Sequence, residues 1–277
     1  MATVNLTHLD WHRTSENGSL PGSLYKAYEE TPQGRFHYKL SSMSGMKVTG
    51  HESINEVIVS RLLDILNIEH TQYVLMDAIV SIKGNKFATT LCKSQDFKKL
   101  NETSLPLEEM YAMHSTTVSV YNFCHKIGIG DSIDTQILVD FLINNTDRHG
   151  WNTEILDNGS SLRMAPIFDS GTSFIHAYKN DISVIPYIDV MYDYPANNFI
   201  GTESLYRNLE LIQNPILVSP LTEKRKSSIF YGLSKYISRA HIDKIWEMIW
   251  RRYCYVRDQK ILLERSQDAE NTRYFDV

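Results

Sequence analysis

The segment from residue 131 to residue 171 constrains the chain most. It opens with an apolar run, 131–144, in which Ile137, Leu138, Phe141 and Leu142 fall on one helical face. Asp147 and Asn152 follow, five positions apart. Two short apolar stretches then flank Asn158-Gly159, a dipeptide that favours a two-residue hairpin because both central positions of that turn need positive φ. A hairpin folded there brings its two open ends together, one near Asn152 and the other near Asp169 of Asp169-Ser170-Gly171. Local geometry therefore predicts that an amide and a carboxylate converge, with Asp147 on the loop just before. Phosphoryl transfer needs this set: one carboxylate to accept a hydroxyl proton, and an Asn and a second Asp to hold magnesium on a triphosphate. Magnesium takes a few such oxygens together with phosphate and water. Two other readings compete. Asp169 could head an ordinary Asp-turn, and Asp147 with His149 could serve a hydrolase or a metal site. His149, however, has no partner at metal-ligand spacing, and no zinc-type cluster follows.

The upstream sequence supplies candidates for the other wall of a nucleotide site. Residues 12–24 are rich in Gly and Ser, including Gly18, Ser19, Gly22 and Ser23, which suits a loop with exposed backbone N–H groups. Such a loop is either a phosphate cradle or a plain surface turn. In 34–41, Phe36, Tyr38 and Leu40 alternate with His37, Lys39 and Ser41, the pattern of a half-buried strand. Lys39 is then solvated or aimed at a phosphate. Residues 52–67 form a helix with Ile54, Val57, Ile58, Leu62, Ile65 and Leu66 as its core stripe. Glu56 lies beside that stripe, where it either turns inward to a strand lysine or stays on the surface near Arg61. Strands at 72–80 and 86–93, joined by the polar 81–85, complete a small sheet-plus-helix unit. The polar run 93–103 reads as a connection. The predicted organisation is a smaller lobe over 1–95 and a mainly helical one over 96–277, with a cleft between them.

Further on, 107–127 reads as partly helical, with Ser104 capping or Pro106 in the first turn. Residues 176–220, dense in Tyr, Pro, Asn and Asp, form a long irregular connection that meets a substrate or packs on its own tyrosines. Two helices are expected at 223–239 and 241–263, with Trp246 and Trp250 in the core and Arg251, Arg252, Arg257 and Lys260 on a solvated face.

Bulk properties narrow the function classes. The 277 residues carry a net charge of -5, which argues against a general nucleic-acid binder. No apolar run approaches the roughly 20 residues of a membrane span, so no membrane partner is expected. Met1 to Asp10 lacks the basic start and apolar core of a signal peptide. Cys92, Cys124 and Cys254 are widely spaced and odd in number, as in a cytoplasmic protein with reduced thiols.

The stretches Asn-Thr-Asp-Arg-His-Gly-Trp-Asn at 145–152 and Ala-Pro-Ile-Phe-Asp-Ser-Gly at 165–171 resemble the HipA-like serine/threonine kinases, the toxin kinases of bacterial toxin–antitoxin pairs and their relatives. Tyr38-Lys39-Leu40-Ser41 and Glu52-Ser53-Ile54-Asn55-Glu56-Val57-Ile58 are similar to the same family. The resemblance implies an α+β, two-lobed protein-kinase-like fold that binds ATP and Mg2+. It implies Asp147 as catalytic base, Asn152 and Asp169 as metal ligands, Lys39 on the nucleotide phosphates and Glu56 as its helix partner. It also implies autophosphorylation in the Gly/Ser-rich loop, at Ser19 or Ser23, a protein substrate with a Ser/Thr hydroxyl, and an antitoxin-like or regulatory partner. Full-length toxins of the family carry an extra N-terminal subdomain. The stretch before Lys39 leaves no room for one, so a compact form is expected. Two other classes fit the same motifs: a lipid or small-molecule kinase of phosphoinositide-kinase type, and a non-catalytic nucleotide-binding effector.

Overall fold

The computed structural model describes residues 3–14, 21–114 and 117–266, with the backbone alone at residues 14 and 21–23. In chain order it begins with strands β1 (Val4–Leu6), β2 (His12–Thr14), β3 (Pro21–Thr31) and β4 (Gly34–Leu40). A small hairpin, β5 (Met43–Ser44) with β6 (Lys47–Val48), leads into helix α1 (Glu52–Leu66), and β7 (Tyr73–Ile82) and β8 (Asn85–Gln95) follow. Six strands form one sheet in the order β1-β7-β8-β4-β3-β2, with β1 parallel to β7 and the others antiparallel. The β7–β8 turn is two residues, Lys83 (φ 49) and Gly84 (φ 79), the left-handed pair that matches strand twist.

The period-2 pattern of β4 places its residues as expected. Tyr38 and Leu40 enter an apolar cluster with Leu6, Trp11, Ala27, Val80 and Leu91 on one face of the sheet. Lys39 points to the other face, which α1 covers. That helix is more deeply buried than a single stripe predicts: Glu52, Ser53, Asn55, Glu56 and Ser60 are buried along with its apolar residues. It lies between the sheet and the remainder of the chain, and its apolar side joins the larger of the two cores.

After β8 come β9 (Thr103–Pro106), α2 (Leu107–Met113), α3 (Val120–Lys126) and α4 (Gly130–Ile143). Ser104 is therefore a strand residue rather than a cap; β9 is recruited by pairing with a strand downstream, which local sequence does not announce. Helix α4 is buried on nearly every side and not only on the face of Ile137, Leu138, Phe141 and Leu142. It ends at Asn144 in the left-handed conformation (φ 51), a residue that tolerates it. Then follow β10 (Asp147–Arg148), β11 (Glu154–Asp157), β12 (Leu162–Met164), β13 (Asn197–Asn198), α5 (Leu205–Leu209), β14 (Ile216–Val218), α6 (Lys226–Ile229), α7 (Arg239–Asp258) and β15 (Leu262–Glu264).

Four expectations need correction. The helix at 223–239 is broken into α6 and two 3-10 turns, with Gly232 at φ 74 between them. The final helix stops at Asp258, and Leu262–Glu264 pairs with β14 instead. Arg252 is not solvated: it is fully buried, and its guanidinium donates to the carbonyls of Val190, Phe141 and Tyr192 at 2.8, 2.9 and 3.0 Å. The Gly/Ser-rich segment is also less of a loop than its composition suggests. Gly22 and Ser23 belong to β3, held by its pairing with β2 and β4. Gly18 and Ser19 lie outside the described residues. Among the described residues no helix is long and apolar enough to cross a membrane.

Candidate active site

The hairpin at Asn158-Gly159 forms, although its loop is four residues, 158–161, rather than two. Only Gly159 takes positive φ (81°). The Asn158 Oδ1 accepts from the amides of Ser160 and Ser161, both at 2.9 Å, and this side-chain bridge stabilises the longer turn. Strand β11 is flanked by β12 and β9 in a three-stranded sheet, which makes its register rigid.

Arg148 joins the two open ends of the hairpin. Its side chain is fully buried, and Nη1 donates to the carbonyl of Asn152 at 2.9 Å and to that of Phe168 at 2.8 Å. Nε and Nη2 meet the Asp140 carboxylate of α4 at 3.0 and 2.9 Å. Burial pulls the guanidinium pKa down, and the Asp140 charge and hydrogen bonds outweigh it, so the group is held charged. Asn145 supports the same carboxylate at 2.9 Å and also accepts from the Asp147 amide at 3.2 Å. The predicted convergence of Asn152 and Asp169 is therefore enforced by a buried arginine as well as by the hairpin.

Asp169 sits at φ 53, a left-handed conformation uncommon outside glycine. Helix α1 holds this turn from the opposite side. Glu56 Oε2 accepts from the Ser170 amide at 2.9 Å, and Asn55 Nδ2 donates to the carbonyls of Gly171 and Ser173 at 2.8 and 3.2 Å. Gly171 lies so close to Glu52 that a Cβ there would stand 3.0 Å from the Glu52 Cβ and 3.3 Å from its backbone. Positions 52, 55 and 56 share one helical face, so a single face of α1 clamps the turn.

Lys39 bridges the two walls. Its Nζ lies 2.7 Å from Glu56 Oε1 and donates a short hydrogen bond to Asp169 Oδ1. Glu56 is buried, and Lys39 and Asp169 are 12% and 27% exposed. Burial opposes the charge on both Lys39 and Asp169. For Lys39, the Asp169 and Glu56 charges prevail and raise its pKa well above the ordinary value. For Asp169, the Lys39 and Lys26 charges prevail and hold its carboxyl far below the usual range. Glu56 thus takes the inward of its two predicted positions, and Arg61 bonds instead to carbonyls of Ile229 and Tyr231.

Lys39, Asp147, Asn152 and Asp169 all line one cavity of about 470 Å³, which also has apolar walls from Leu24, Tyr73 and Phe97. Asn152 Nδ2 donates to the Asp147 carbonyl at 3.0 Å, which leaves Oδ1 as the atom available to coordinate. The Asp147 carboxylate accepts from Asn197 Nδ2 at 3.3 Å. Asn197 reaches it because β13 pairs with β10 in parallel, with Asn197 N on the Thr146 carbonyl at 2.8 Å and Phe199 N on that of Arg148 at 3.0 Å. Sequence reasoning missed Asn197, Arg148 and Lys26. A polar residue in an irregular segment and a lysine on a strand carry no local mark of where they end up. Asn55 did carry one, its spacing from Glu52 and Glu56.

The fold is similar to that of the Helicobacter pylori proinflammatory kinase CtkA, with a TM-score of 0.59 over 91% of this chain and 94% of that one, at 14% identity. It is also similar to HipA of Shewanella oneidensis MR-1, solved with HipB and its operator DNA, with a TM-score of 0.42 at 13% identity. That match covers 91% of this chain and 61% of the HipA chain. No family model and no curated protein matches the sequence. At 14% identity the likeness to CtkA is one of fold: a mixed α/β, kinase-like architecture.

Proposed function

We propose that this chain is an ATP- and magnesium-dependent phosphotransferase, in the first place a serine/threonine protein kinase. The observation that carries the reading is that Lys39, Asp147, Asn152 and Asp169 line a single cavity, with the buried Glu56 holding Lys39 from behind. Residues 1–95 would form the smaller lobe, residues 96–277 the larger, and the cavity the cleft between them.

The donor set fits magnesium. Asp169 and the Asn152 Oδ1 are hard oxygen ligands, and among the described residues no group of three His, Cys, Asp or Glu could hold a metal alone. Phosphate and water oxygens would complete the coordination. When bound, the metal would neutralise charge on the phosphates. Lys39, aimed by Glu56, would contact those phosphates, with the β3 backbone amides at Gly22 and Ser23 as further candidates. Asp147 orients the acceptor hydroxyl and takes its proton, with its carboxylate held by Asn197. Because Arg148 and α1 fix these groups in place, positioning and electrostatics carry the rate. Ser19 and Ser23 are the candidates for self-modification. A cytoplasmic location and an antitoxin-like or regulatory protein partner belong to the same reading.

The test is incubation with γ-labelled ATP and magnesium, with protein, inositol-lipid and sugar acceptors, followed by mass spectrometry. Label on protein hydroxyls is the expected result. Asp147→Asn should still bind ATP yet transfer phosphate about 100- to 10,000-fold more slowly. Full activity in that variant would remove Asp147 from its role. Label on lipid or sugar alone would replace the protein acceptor, and binding without any transfer would make the chain a nucleotide-binding effector.

A further inference from the structure

A second lysine stands at this site, and the reading above gives it no role. Lys26 on β3 is the direct cross-strand partner of Lys39 on β4, so both side chains leave the sheet on the face that lines the cavity. Directly opposed like charges on a sheet are destabilising unless an anion lies between them. The anion here is Asp169: Lys39 takes Oδ1, and Lys26 Nζ lies 3.9 Å from Oδ2.

The two lysines are held differently. Lys39 is anchored by the buried Glu56 and is 12% exposed. Lys26 has Asp169 as its one ion-pair partner among the described residues and is 45% exposed to the cavity side. Lys26, Lys39, Glu56 and Asp169 together sum to zero charge. A divalent cation arriving at Asp169 would add two positive charges beside an ammonium that shares the same carboxylate. Lys26 is the group free to leave, and the anion that accompanies the metal offers it a new partner.

We infer that Lys26 is a second phosphate-binding lysine, parked on Asp169 in the ligand-free chain and transferred to the terminal phosphates of a nucleoside triphosphate when metal and nucleotide enter. The inference rests on the nucleotide-binding reading given above. Its signature is selectivity among ligands, since a terminal-phosphate contact discriminates ATP from ADP and is silent toward adenosine.

The experiment is calorimetric titration of ATP, ADP and adenosine, each with magnesium, into the wild-type chain, Lys26→Met and Lys26→Arg. Thermal melts are recorded alongside to confirm folding. Lys26→Met should weaken ATP about tenfold, ADP by less and adenosine not at all, and Lys26→Arg should recover most of the ATP loss. Unchanged ATP affinity in a folded Lys26→Met chain overturns the inference, as does an equal loss for all three ligands. If the wild-type chain binds none of the three, the nucleotide reading itself is overturned, a result distinct from either of those.

Discussion

Two ionic clusters lie within a few residues of each other, and they are built to opposite ends. Arg148 and Asp140 are sealed, at 0% and 2% exposure, and every arm of the guanidinium has a protein acceptor. Lys39 and Asp169 face a cavity, at 12% and 27% exposure, with a third charge, Lys26, at its rim. A sealed pair has no exchangeable partner, so its work is to fix geometry. An open cluster in which Lys39 and Asp169 each have a second partner can trade one ion for another without leaving either of them stranded. The contrast separates scaffold from site by solvent access and redundancy of partners, which residue type alone does not reveal.

Removing one partner should therefore have unequal results in the two clusters. Arg148→Met leaves Asp140 buried with only the Asn145 amide and frees the carbonyls of Asn152 and Phe168. It should cost about 3–5 kcal/mol and lower Tm by roughly 10 °C in a chain of this size, measured by calorimetry. Lys39→Met leaves Glu56 bonded to the Ser170 amide and Asp169 close to Lys26 and to solvent. It should shift Tm by less than half as much while abolishing detectable ATP binding. If the two variants destabilise equally, the open cluster is as structural as the sealed one and the contrast fails.

How far the sequence reached follows the same division. The positions of the hairpin, α1, α4 and the strand of Lys39 were legible because each depends on local period or spacing. The inward turn of Glu56 to Lys39 was one of two open positions on the helix boundary, chosen by a contact 17 residues away in sequence. The depth of burial was not. Arg148 and Arg252 look like ordinary surface arginines, and they became buried through carbonyls supplied by distant segments: Phe168 for the one, Phe141, Val190 and Tyr192 for the other. Asn197 illustrates the same limit, since its route to Asp147 is a two-residue strand pairing formed 50 residues away in sequence. Lys26 lies just past the Gly/Ser-rich 12–24, in a segment with no local strand signal, and pairing with β2 and β4 is what makes it a strand residue.

The smallest effect predicted is one of pH, and it tests whether the open cluster is silent where it should be. Asp169 has a folded pKa below its unfolded value of about 3.9, so its contribution is present above that pH and is lost only as pH falls further. Lys39 has a raised pKa, so its contribution is complete below about pH 10 and is lost only as pH rises beyond that. The Lys39–Asp169 pair therefore leaves stability unchanged between about pH 5 and 9. His51, which precedes α1 and meets the His241 ring of α7 edge-on at 4.9 Å, behaves otherwise. Burial first, and then the neighbouring His241, push its pKa down to about 4; His176 and His241 shift the same way, chiefly through burial. The unfolded chain, with histidine pKa near 6.5, then binds more protons than the folded one below that pH, so stability should fall from about pH 6.5 toward pH 4. A series of thermal melts on wild type and His51→Asn measures this. The variant should lose part of the slope in that window and keep the wild-type slope below it, where Asp169 titrates. An identical slope in both proteins would assign the acid sensitivity to groups other than His51.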